Sequence, residues 1–280
     1  MIQLKPTETE YIEAWHEGWQ SGVRVQFPEM VIASDAVVKV FWEVPARWRQ
    51  TGDQSWSHEW RGDDRYLLET RPRVAGFDAG KPIYDLITGM TVRADMAAVD
   101  GHLEMIMTLT NESERTFERV MCEGGCLQPG DGPFRLKHDD TRQRILSVIE
   151  RSFISCDGRM ISMAELPRTR FDCCAYQFDP AGYEQPIELV CEGMWGRSEV
   201  HVDAPTILGM VSIDRTKAYV IGYEHSVSGL HNGSERHCLH SRPEYGDIEP
   251  GQSVSRTGYI LFGDDLESLA DRLREMLRQL

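Results

Sequence analysis

A chain of 280 residues with 30 Lys and Arg against 45 Asp and Glu carries a formal charge of −15. That length buries a large core within one domain, and a field of that sign repels phosphate backbones and anionic lipid, so no nucleic-acid or membrane partner is expected. A neutral or small ligand suits the composition better than a strongly acidic polymer.

The opening residues, Met1-Ile-Gln-Leu-Lys-Pro, lack the basic-then-apolar order of a secretory signal, and no apolar run approaches the roughly 18 residues a membrane helix needs. The seven cysteines, at positions 122, 126, 156, 173, 174, 191 and 238, are an odd number in a long chain. Both points set the expectation of a cytoplasmic protein with reduced thiols.

Thr7 followed by Glu10 reads as a capping box, and Tyr11, Trp15 and Trp19 then fall on one helical face. An N-terminal helical segment is expected over 1–22. Positions 23–27, 30–34 and 36–44 are short β-branched or aromatic runs separated by Pro28 and Asp35, as strands are. Trp48, Trp56 and Trp60 follow in a polar stretch, where a loop tryptophan either anchors the loop or stacks on a sugar ring.

The clearest pattern comes next. Val92, Ala94 and Met96 alternate with Arg93 and Asp95, Asp100-Gly101 supplies a turn, and Leu103, Met105, Met107 and Leu109 alternate in their turn. This is a hairpin with one buried face. Cys122-Glu-Gly-Gly-Cys126 places two thiols four apart, but zinc sites usually need a second such pair, and the adjacent Cys173-Cys174 is poor geometry for one. The run 143–154 is apolar without a clear period. Positions 159–166, 187–191 and 207–213 read as strands, 218–224 as the partner of the last, and 254–262 as a strand after the turn at Pro250-Gly251. Asp264 is expected to cap a closing amphipathic helix over 264–280, with Leu266, Leu269, Leu273, Leu277 and Leu280 on one face. The helix faces leave a homo-oligomer open.

Many short strands with helices only at the ends predict a mainly β fold, a large antiparallel β-sandwich that forms one domain over 1–280. Two segments sharpen this: Leu103-Glu-Met-Ile-Met-Thr-Leu-Thr-Asn111-Glu-Ser, and Asn232…His237-Cys-Leu-His240-Ser-x-Pro…Gly246-Asp247-x-x-Pro250-Gly251…Gly258-Tyr-Ile-Leu-Phe262. They resemble the galactose-mutarotase-type supersandwich fold, and more narrowly uncharacterised bacterial proteins of that fold. Proteins of that fold mostly act on or bind carbohydrate, so the resemblance implies a carbohydrate ligand. It does not carry the mutarotases' catalytic residues onto positions here.

The stretch from Gly222 to Phe262 holds four of the nine histidines: His225, His231, His237 and His240. Sugar chemistry needs one group to take a proton and another to give one. His240 with Glu224 is the first pair, and His237, His225 and Tyr223 are further acid-base candidates. If Glu224 and His225 lie on a strand they face opposite sides, and Tyr223 shares the face of His225. Trp195, Trp56, Trp60, Arg242 and Asp247 are candidate ligand contacts. A structural role competes with the functional one at every position. No metal or other cofactor is expected; His237-Cys238-x-His240 offers ligands to one ion only if the segment is not a strand. Three readings follow: an enzyme using His with Glu or Tyr (epimerase, lyase or hydrolase), a carbohydrate-binding module, and an assembly protein. The first requires the polar groups of 223–247 to converge in one pocket.

Overall fold

The computed structural model describes residues 1–6, 12–19, 22–33, 36–39, 48–50, 55–62, 64–71, 75–77, 89–129, 134, 141–170, 173–177, 196–232 and 237–280. Its strands in chain order are β1 (Ile2–Pro6), β2 (Ile12–His16), β3 (Val23–Gln26), β4 (Met30–Ala33), β5 (Ala36–Lys39), β6 (Trp48–Gln50), β7 (Ser55–Arg61), β8 (Arg65–Arg71), β9 (Ala75–Phe77), β10 (Met90–Val99) and β11 (His102–Asn111). They continue with β12 (Phe117–Glu123), β13 (Gly125–Pro129), β14 (Ser152–Cys156), β15 (Arg159–Ser162), β16 (Cys173–Gln177), β17 (Gly196–His201), β18 (Ile207–Val211), β19 (Ala218–Tyr223), β20 (Ser226–Asn232), β21 (Cys238–Ile248) and β22 (Ser253–Gly263). Two helices accompany them among the described residues, α1 (Thr141–Arg151) and α2 (Leu266–Arg278).

The strands form two large sheets. A nine-stranded sheet runs β15-β14-β18-β19-β22-β11-β10-β8-β7, and an eleven-stranded sheet runs β1-β2-β3-β13-β21-β12-β4-β5 with β20, β16 and β17 extending from β21. The two inner faces share one apolar core: Val92, Met105, Leu109, Tyr219 and Ile260 from the smaller sheet meet Val25, Val31, Cys122, Leu127 and Leu239 from the larger. Two-residue periodicity makes this possible, since each strand sends alternate side chains inward. The β10–β11 hairpin follows its pattern residue by residue, and its turn takes positive φ at Asp100 (45°) and Gly101 (81°).

The mainly β sandwich with a C-terminal helix is as expected. The N-terminal helix is not: Ile2–Pro6 and Ile12–His16 are antiparallel strands paired Ile2↔His16 to Pro6↔Ile12, and 7–11 lie outside the described residues. The aromatic spacing misleads because alternation wins: Ile12 and Ala14 are buried while Glu13, Trp15 and His16 are half-buried. The ambiguous run 143–154 divides into the end of α1 and the start of β14. Helix α2 is capped by Asp265 rather than Asp264 and covers the outer face of the nine-stranded sheet, where Leu269, Leu273 and Leu277 pack on Ile207, Val220 and Leu261. Leu280 is exposed. Strand 187–191 lies outside the described residues. Among the described residues no helix is long and apolar enough to cross a membrane.

Candidate functional site

Strand β21 forms the middle of the site. Leu239 and Tyr245 face the inter-sheet core, so Cys238, His240 and Arg242 alternate onto the opposite, outer face. On one side β21 pairs first with β13, with Cys126 directly opposite His240, and then with β12. Gly124 separates these two strands and donates its N–H to the Ser241 carbonyl at 3.1 Å. The extra residue flips the alternation. Cys122 points into the core, its sulfur 3.4 Å from that of Met107, while Glu123 and Cys126 reach the outer face. The next strand outward is interrupted at the same level, between β3 and β4, and Glu29 occupies that link with its N–H donated to the Glu123 carbonyl at 3.0 Å.

These interruptions bring four ionisable side chains together. His240 Nδ1 lies 2.9 Å from Glu29 Oε2 and 3.1 Å from Glu123 Oε2, and the aligned hydrogen bond is the one donated to Glu123. With carboxylates as the neighbours, Nδ1 carries the hydrogen. Arg242 donates from Nη2 at 2.6 Å and Nε at 3.2 Å to Glu123 Oε1. On the other side of the ring, His240 Nε2 lies 2.9 Å from Cys238 Sγ. Glu29, Glu123, His240 and Arg242 are 5%, 0%, 2% and 1% exposed.

Burial alone would lower the His240 pKa, but the surrounding negative charge outweighs it and holds the imidazolium well above its ordinary range. Burial keeps the Cys126 thiol protonated by pushing its pKa well up. Cys126 is the first of the neighbours that raise the ring's pKa, followed by the carboxylates of Glu29 and Glu123. Glu123 is the converse case: desolvation raises it, and His240 and Arg242 together bring it below the usual carboxylate value.

The structure does not bring Glu224 to His240. Glu224 and His225 sit in the turn between β19 and β20, where Glu224 Oε1 accepts the Thr257 N–H at 2.7 Å and His225, at φ 53°, is exposed. They are not on a strand, so the expected division into opposite faces does not apply. Tyr223 is fully buried in the core and donates its hydroxyl to the Gly124 carbonyl at 2.8 Å; burial raises its pKa well above 10. A Cβ at Gly258 would overlap the Tyr223 ring, which fixes the ring's seat. His237 is buried ahead of β21 at φ 55°. Asp247 is exposed and accepts the Arg119 N–H at 2.8 Å. Arg242 points at Glu123 rather than outward. Trp60 packs on Tyr66 with ring centroids 4.8 Å apart; Trp195 and the side chain of Trp56 lie outside the described residues.

Sequence reasoning missed Glu29, Glu123 and Cys126 as partners of His240. The available signal was a carboxylate inside an apolar strand run, Val-Met-Cys-Glu123, since a charge there is buried and must be paired. Cys126, Cys238 and a His240 ring nitrogen all lie within 4.8 Å of one another and could hold a metal ion, as could Glu29, Glu123 and His240. Two clefts open elsewhere on the described surface. One of about 290 Å³ is lined by Gln3, Trp15, His16 and Trp19, another of about 430 Å³ by Asp157, His201, Asp203, Arg274 and Arg278, and neither includes a member of the His240 cluster.

No protein-family model and no curated protein matches the chain. Solved structures similar to it include a polysaccharide lyase (10% identity, TM-score 0.45, 98% of this chain and 34% of that one). An α-mannosidase from Enterococcus faecalis V583 is similar at 8% identity and TM-score 0.46 over 100% of this chain and 30% of that one. A galactose mutarotase-like protein from Lactobacillus casei ATCC 334 is similar at 10% identity and TM-score 0.37 over 94% of this chain and 100% of that one. The chain thus spans about a third of the lyase and of the mannosidase. At these identities no residue of this site is matched to a residue of theirs.

Proposed function

We propose that the chain is a carbohydrate-active enzyme that works on a sugar or oligosaccharide at the His240 centre, by epimerisation, elimination or hydrolysis. The observation that carries the reading is one imidazole nitrogen set 2.9 Å and 3.1 Å from two buried carboxylates. His240 and Arg242 together keep Glu123 anionic, and Glu123 in turn orients the ring, much as a buried carboxylate orients a catalytic histidine elsewhere. Glu29, from the adjoining strand link, is the partner with which His240 exchanges a proton in this reading. Carbohydrate as the substrate class comes from the resemblance of the Leu103–Ser113 and Asn232–Phe262 stretches to mutarotase-type proteins, not from the site's geometry. The described residues of 223–247 do not converge in one pocket, so the reading rests on His240 with Glu29 and Glu123 instead, and because that centre is closed to solvent in this conformation it requires an opening movement before a sugar can reach it.

A thermal-shift screen against neutral mono- and oligosaccharides and uronates tests the reading, because a ligand that binds only the native state raises the transition. A saccharide that raises the midpoint and is turned over supports it. A folded protein whose midpoint no saccharide moves overturns it. The assembly reading gains nothing from the described surface: the apolar face of α2 is already buried on its own sheet, and the large exposed apolar residues are Met1, Val99, Ile213 and Leu280, single positions spread along the chain.

A further inference from the structure

We infer that Cys126, Cys238 and His240 form a binding site for a thiophilic metal ion, with Zn2+ the ion that the donor set fits best. The site follows from strand geometry. Cys238 and His240 are two apart on β21 and therefore share a face, and Cys126 stands directly opposite His240 on β13. Their three donor atoms lie within 4.8 Å of one another, and all three residues are buried. A tetrahedral Zn2+ with bonds of about 2.3 Å to sulfur and 2.0–2.1 Å to nitrogen separates such donors by about 3.5–3.8 Å, so small side-chain adjustments seat it. Two sulfurs and an imidazole exclude Mg2+ and Ca2+, which take oxygen ligands.

The far side of the ring supports the same assignment. A metal-bound histidine typically donates its other ring N–H to a carboxylate that is itself held in place. Here Nε2 faces Cys238 while Nδ1 faces Glu123, and Arg242 fixes Glu123. That arrangement also decides between the two clusters that could hold an ion. An ion among Glu29, Glu123 and Nδ1 would lie beside the Arg242 guanidinium, whose Nη2 is 2.6 Å from Glu123 Oε1, and the two positive charges would repel. On the thiol side no such cation stands among the contacts described. Three protein ligands leave Zn2+ a fourth position for water or a substrate oxygen.

The inference stands on this geometry and needs no sugar, so its test is separate from that of the proposed function. The untagged protein is stripped with a chelator, reloaded with Zn2+ or Co2+, and passed through gel filtration. The expected result is one Zn2+ per chain, a sulfur-to-cobalt charge-transfer band in the Co2+ form, and a melting midpoint that the chelator lowers and Zn2+ restores. Cys126→Ser and Cys238→Ser should each cut the band to about half or less, since one thiolate of two remains, and weaken Zn2+ binding by more than the roughly 10–100-fold that loss of an outer partner costs. Cys156→Ser, at a buried thiol outside the cluster, should leave both unchanged. Wild-type protein that takes up no stoichiometric Zn2+ and whose midpoint ignores the chelator overturns the inference, whether or not the serine variants fold. Retention of the band at full wild-type intensity in both serine variants overturns it too. A saccharide response without metal uptake would sink this inference and leave the proposed function standing; metal uptake without any saccharide response would do the reverse.

Discussion

Arg242 closes on Glu123 with two nitrogens, Nη2 at 2.6 Å and Nε at 3.2 Å, both directed at Oε1, and each side chain is 1% exposed. Removing Arg242 leaves the buried carboxylates of Glu29 and Glu123 facing His240 with one positive charge too few, and an uncompensated buried charge costs about 3–5 kcal/mol. Arg242→Met, which keeps the stem's volume, should lower the stability measured by urea unfolding by that amount, as a fall in midpoint at nearly unchanged slope. A loss below about 1 kcal/mol, the range of exposed pairs, would mean that the guanidinium is not committed to Glu123.

Glu29 and Glu224 separate the site proposed here from the pair expected from the sequence. Glu224 Oε1 accepts the Thr257 N–H, and an amide oxygen accepts it as well, so Glu224→Gln should cost no more than about 1 kcal/mol and leave turnover of any saccharide substrate unchanged. Glu29→Gln removes the carboxylate beside His240 Nδ1 and should lower turnover by about 10²–10⁴-fold. Steady-state kinetics of the two variants side by side checks this. The opposite ranking would return Glu224 to the centre.

Asp265 Oδ1 accepts the Ser268 N–H at 2.8 Å at the start of α2, and the Ser268 hydroxyl together with that N–H holds its carboxyl below the ordinary value of 3.8. A pKa depressed in the folded state contributes stability that is fully present above the unfolded value and lost as pH falls through the folded one. The melting temperature of Asp265→Ala should therefore lie below that of the wild type at neutral pH, with a gap that stays constant down to about pH 4 and closes below it. Differential scanning calorimetry across that range reads the gap directly, and a gap independent of pH would show that the carboxylate is not the cap.

The sheets were legible because periodicity is local. Val92 to Leu109 shows its buried face and its Asp-Gly turn within 20 residues, and the structure repeats both. The first strands were not, because three aromatics at Tyr11, Trp15 and Trp19 imitate a helical face while the deciding burial falls on Ile12 and Ala14. The site was half legible. His240 and Arg242 stand out in a histidine-rich stretch, but their partners come from positions 29, 123 and 126, which only the strand order brings alongside β21. The thiol pair read as Cys122 and Cys126 divides between the two faces of its sheet, since the interruption at Gly124 reverses the alternation. An insertion of one residue in a strand changes no composition and leaves the local pattern ambiguous, and yet it decides which side chains meet.

The most direct measurement is the effect of His240→Gln on saccharide binding and turnover, with near-ultraviolet circular dichroism as the check on folding. The account predicts a native spectrum together with loss of the ligand-induced thermal shift and of turnover, because the ring that joins Glu29 and Glu123 is gone. Binding and turnover equal to the wild type's would contradict it. So would a His240→Gln protein that fails to fold while Glu29→Gln folds and retains full activity, since His240 would then serve the structure alone.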